Sequence, residues 1–100
     1  MPLEIQQGFE YQGDDWWKWW VWVQGHETEL DQIDYVVYTL HPTFPHPVRS
    51  VKDRDTKFLL KTSGWGVFRI YANVVKKNGE EIHLAHDLEL KYPDGTPTTA

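Results

Sequence analysis

The chain contains no cysteine, which excludes disulfides, thiolate nucleophiles and cysteine-based zinc sites together. Its stability has to come from packing. A long apolar run is missing too: the block from Trp16 to Val23 is interrupted by Lys18 and falls well short of the roughly 20 residues that cross a bilayer. The start, Met1-Pro2-Leu3-Glu4-Ile5, has neither a basic region nor an apolar signal core, so the expectation is a cytoplasmic chain with no membrane partner within it. Serine is scarce. Ser50 and Ser63 are the only two, and neither lies in a nucleophile-elbow sequence or beside an evident base and orienting acid. No amphipathic helical period stands out either.

Basic charge is in deficit, with fifteen acidic against ten basic residues and a formal net charge of −5. That balance argues against non-specific binding to a phosphate backbone, so no nucleic-acid partner is expected, and it mildly favours a basic one. Many soluble proteins are as acidic with no basic ligand at all. Metal ligation is poorly served: His83 and His86 stand three apart, which on a strand puts them on opposite faces, and His41 and His46 share a loop without a third ligand. The carboxylate pairs Asp14-Asp15 and Glu80-Glu81 flank turns and read as solvated. No metal, no cofactor and no enzymatic activity are expected.

What the chain has in quantity is aromatic and β-branched residues. With 40% hydrophobic content over 100 residues, there is enough apolar volume for one domain with one core. Apolar residues alternate in short blocks bounded by Gly, Pro, Asn and Asp, which predicts strands. Trp17, Trp19, Val21 and Val23 share one face of the first block; Trp16, Lys18, Trp20, Trp22 and Gln24 share the other. A second block runs from Ile33 to Leu40 into a proline-punctuated loop, and Phe58-Leu59-Leu60 is a shorter third candidate. The blocks Val67 to Val75 and Ile82 to Leu90 flank Lys76-Lys77-Asn78-Gly79, a strong hairpin signal. Antiparallel strands without helices must bury their apolar faces against another sheet, so a sandwich or barrel follows. Beyond Tyr92 periodicity ends, and 93–100 reads as a linker or disordered tail.

Two pieces carry a family likeness. His41-Pro42-Thr43-Phe44-Pro45-His46-Pro47-Val48-Arg49 and Ser63-Gly64-Trp65-Gly66-Val67-Phe68 resemble the two signature loops of the YEATS family. Trp19 to Gly25, Val36 to Leu40 and His86-Asp87-Leu88 are similar to three of its strands, and the tryptophan density and Pro-Thr-Phe-Pro wording look closest to its bacterial branch. The resemblance implies an all-β fold, a single immunoglobulin-like antiparallel β-sandwich over 1–92. It also implies a non-catalytic module whose loops bind lysine acylated on its side chain, of acetyl or crotonyl type, in a partner protein or peptide. By that likeness Phe44 and Trp65 sandwich the acyl amide, Thr43 bonds it, and His41 orients the Thr43 hydroxyl. The Trp65 N–H donates to the acyl carbonyl beside Gly66, Phe68 is a wall, Asp87 lies near the ligand's flanking residues, and Trp16 is a looser match to a further wall.

The residues by themselves leave other readings open. Phe44 and Trp65 can cap the end of the sandwich as core aromatics, Phe68 can open the buried series Ile70, Ala72, Val74, His41 can simply cap its loop, and Asp87 can be a solvated carboxylate. Pro42, Pro45 and Pro47 fix three φ angles, which holds Thr43 and Phe44 in place before a ligand arrives. Gly64 and Gly66 are expected to permit a backbone course or a close approach that a Cβ hinders. The competing functions are a carbohydrate-binding sandwich or a general protein-interaction scaffold. Both use the face bearing Trp20 and Trp22, and a face covered by other parts of the chain would remove the sugar reading.

Overall fold

The computed structural model describes residues 3–98. Seven strands form in chain order: β1 (Glu4–Gly13), β2 (Trp16–Gln24), β3 (Ile33–Thr39), β4 (Val48–Val51), β5 (Leu60–Gly64), β6 (Arg69–Lys76) and β7 (Glu81–Asp87). They make two antiparallel sheets, β1-β2-β5 and β4-β3-β6-β7. Parity decides which side chains fill the space between them. Trp17, Trp19, Val21 and Val23 are completely buried, and Val36, Tyr38, Ile70, Ala72 and Val74 meet them from the second sheet. The Tyr38 hydroxyl donates to the Phe58 carbonyl at 2.7 Å, and burial pushes its phenol well above the ordinary range.

The β6–β7 hairpin forms where Asn78-Gly79 placed it. Lys76 N–H donates to Glu80 O at 2.8 Å, Gly79 N–H to Lys76 O at 3.0 Å, and Gly79 takes a φ of +93°. Glycine therefore supplies the left-handed residue that closes the turn.

Other expectations need correcting. The third candidate overlaps its strand only at Leu60, because Lys57 and Phe58 both adopt left-handed φ after a 3-10 turn at Arg54–Thr56, and Phe58 plugs the core instead. β1 and β4 had no signal, and a short helix, α1 (Glu27–Asp31), is held by ion pairs from Arg54 to Glu27 and Asp31. The segment read as a linker or disordered tail folds back as far as Thr98. Tyr92 N–H donates to Thr96 O at 2.8 Å and Thr98 N–H to Leu90 O at 3.0 Å. Residues 99–100 of that expectation lie outside the described residues.

One side chain ties the two sheets. Gln7, on the inward face of β1, accepts from Glu89 N–H (2.9 Å) and donates to Glu89 O (2.6 Å). His86 Nε2 lies 2.6 Å from the same Gln7 oxygen and therefore acts as donor.

Candidate functional site

Two loops meet at one end of the sandwich, residues 40–47 between β3 and β4 and residues 65–68 between β5 and β6. The first is closed at its base by Leu40 N–H on Pro47 O (2.7 Å) and turned by Phe44 N–H on His41 O (3.0 Å). Arg49, on β4, lashes it further by donating from Nε to His46 O and from Nη2 to Pro45 O, each at 3.0 Å. With three proline φ angles already fixed, these bonds restrict the loop's conformation, which lowers the entropic cost of binding.

Phe44 is half-buried and rests edge-on against Trp19 (centroids 6.1 Å, 86°) and tilted against Phe68 (5.3 Å). Phe68 also contacts Trp19 and His41, so it is both a wall and part of the roof over the core. Trp65 is different. It is 60% exposed and touches no other aromatic ring among the described residues. Between these rings lies an open cavity of about 570 Å³.

At its rim Thr43 N–H donates to His41 Nδ1 at 3.2 Å, and the Thr43 hydroxyl lies 2.9 Å from the same nitrogen. A nitrogen that accepts an N–H carries no proton, so the hydroxyl donates to it too. The lone pairs of Thr43 Oγ1 are then left for another donor.

Seven of the eight expected residues line this cavity: Trp16, His41, Thr43, Phe44, Trp65, Gly66 and Phe68. Asp87 does not. It closes β7 in an ion pair with Arg69 (2.8 Å), which holds its carboxyl below the usual carboxylate range. The glycine argument also changes. Neither Gly64 nor Gly66 has a positive φ, and a Cβ at Gly64 would meet Phe44 at 3.5 Å and Trp19 at 3.7 Å, which is ordinary contact.

Two residues had been given no role. Arg49 lines the cavity and is the one arginine of three without a carboxylate partner among the described residues; Arg54 and Arg69 both have one. Among the described residues no aspartate or glutamate lines the cavity. Below it, the Trp19 Nε1–H is buried, close to Gly64, and has no hydrogen-bond partner among the described residues. A buried donor left unpaired costs about 1–3 kcal/mol. Only its inward parity was legible beforehand, since an orphaned N–H depends on what surrounds it in space.

The loops at one end of the β-sandwich thus frame an open cavity lined by aromatic residues. The sequence profile of the prokaryotic YEATS domain matches residues 17–89, and the chain belongs to that family. It is 40% identical over 73 residues to transcription initiation factor TFIID subunit 14 of Schizosaccharomyces pombe, covering 69% of this chain and 30% of that protein. The chain thus spans less than a third of that curated relative. Among solved structures it resembles the Yaf9 YEATS domain recognizing an H3K122suc peptide, with a TM-score of 0.74, 28% identity, and 92% of this chain and 72% of that one covered. The Yaf9 YEATS domain bound to H3K27ac gives 0.66 at 25% identity, covering 96% and 73%. The sandwich is accordingly immunoglobulin-like. No helix among the described residues is long and apolar enough to cross a membrane.

Proposed function

We propose that this chain is a non-catalytic reader that holds lysine acylated on its side chain, in a partner protein or peptide, in the slot between Phe44 and Trp65. The observation that carries the reading is an open slot with aromatic rings from two loops, a hydroxyl oriented by an imidazole, and no carboxylate in its wall. An unmodified lysine would bring an ammonium into a site with no counter-ion and a nearby guanidinium, whereas an acyl amide is neutral. In this reading Thr43 Oγ1 accepts the ligand's amide N–H and the Trp65 backbone N–H donates to its carbonyl. The rings cover the flat amide, with stacking adding about 0.5–1.5 kcal/mol beyond area burial. Support comes from the two Yaf9 structures, whose peptides carry succinylated and acetylated lysine marks.

A peptide titration followed by NMR tests this. Acetylated or crotonylated lysine peptide is expected to shift the signals of Thr43, Phe44 and Trp65, and the unmodified peptide to leave them in place. An equal response to modified and unmodified peptide rejects the proposal.

A further inference from the structure

Strand parity builds a second surface on the outside of the β1-β2-β5 sheet. Trp16, Lys18, Trp20, Trp22 and Gln24 project from β2 away from the core, with about 7 Å between every second residue. The second sheet packs on the opposite side, and β1 pairs beside β2 instead of crossing over it. Gly8 lies opposite Trp20, where a Cβ would come within 2.3 Å of the indole nitrogen. Glycine leaves the room that the indole occupies. A groove of about 1110 Å³ runs along this face.

Its charge runs against that of the whole chain. Lys18, Lys57 and Lys61 line it with a single carboxylate, Glu10, although the net charge is −5. Lys18 stands between Trp16 and Trp20 on the strand, and Lys61 pairs across from Trp20.

We infer that this face is a second binding site, separate in its chemistry from the slot, for an extended glycan carrying acidic sugars. Indole faces take the C–H faces of pyranose rings, as other flat apolar groups stack on them. The side chains of Gln24 and Ser63 line the same groove and can both donate to and accept from sugar hydroxyls. The lysines meet the sugar carboxylates. A phosphate polymer would meet the same lysines and indoles, so a phosphate-bearing probe is an arm of the test. A second copy of the chain is disfavoured because interface cores are depleted of charge, and here lysines alternate with the indoles.

The experiment is calorimetry of the intact chain with three probes: oligogalacturonate, a neutral cello-oligosaccharide of equal length, and oligothymidylate. Oligogalacturonate is expected to bind, the neutral glycan to bind about tenfold more weakly, in line with the loss of one or two charge contacts, and oligothymidylate not to bind. Trp22→Ala should weaken oligogalacturonate binding about tenfold, the size of one lost stacking partner. Because a tryptophan truncation can also loosen the sheet, Lys18→Gln with Lys61→Gln is the second variant. It should remove the advantage of the acidic glycan while leaving melting temperature and acyl-lysine binding as they were. The inference is overturned if no glycan binds, if oligothymidylate binds in its place, or if sedimentation shows a dimer that Trp22→Ala dissolves.

Discussion

The slot between the loops and the groove on the outer sheet face meet at Trp16, Thr62 and Ser63, which line both, yet they are built in opposite ways. The slot is assembled from residues distant in sequence, its rings come from two loops, and proline, Arg49 and backbone hydrogen bonds hold one of those loops in place. The groove is laid down by one strand whose alternation carries indole and lysine along a single face. In the slot no carboxylate among the described residues lines the wall, so under the proposed reading a cationic group is disfavoured. In the groove charges and rings are interleaved at the surface, where charge remains solvated. Within one small domain, loops thus frame a cavity and a strand lays out an extended face.

The largest expected effect separates the slot's two rings. Trp65→Ala should reduce acyl-lysine affinity at least about tenfold, given the stacking and burial it loses. It should hardly move the denaturation midpoint, because the ring is 60% exposed and contacts no other aromatic. Phe44→Ala should cost binding and also about 2 kcal/mol of stability, less than a fully buried phenylalanine, because its ring packs on Trp19 and Phe68. Chemical denaturation beside calorimetry gives both numbers. A Trp65→Ala variant as destabilised as Phe44→Ala would make both rings core and erase the contrast between the regions.

A smaller effect concerns Arg49. Arg49 lines the slot and has no carboxylate partner among the described residues, but two of its nitrogens are committed to loop carbonyls. Arg49→Gln should weaken a succinylated peptide several-fold, about the worth of one ordinary hydrogen bond since the amide still donates, and weaken a crotonylated peptide less. Equal losses would mean that Arg49 acts only by bracing the loop.

Legibility in the sequence followed the same division. β2 could be read to its faces because one side is buried from Trp17 to Val23, and the hairpin because Asn78-Gly79 encodes its own turn. β1 could not. Its inward positions are Ile5, Gln7, Phe9 and Tyr11, and the polar member among them faces in because it bonds β7 and Glu89 rather than the core. β4 is four residues long and follows directly on a proline loop, which masks any alternation. Six slot residues are legible in the wording of two loops and Trp16 only as a looser match, whereas Arg49 and the Trp19 N–H depend on partners that only folding brings near or withholds. The ion pair of Asp87 with Arg69 from across the hairpin was likewise not legible, since it depends on the register of β6 and β7.

The smallest effect lies away from both surfaces, at the bond between sheets that keeps them in register. His86 is half-buried beside Gln7, and burial lowers its pKa from 6.5 against the opposing pull of Asp87 and Glu89. The folded state therefore binds fewer protons than the unfolded chain, and stability rises with pH. The contribution is fully present above about pH 6.5, the ordinary value, and is lost as pH falls through the lower folded-state value. A second proton on the ring also leaves Nδ1–H to be solvated in a partly enclosed place. Melting temperatures of the wild type and His86→Gln, measured from pH 8 to pH 5, should converge toward the acid end because only the wild type carries this loss. Parallel curves across that range would mean that the Gln7–His86 contact does not couple protonation to the joining of the sheets.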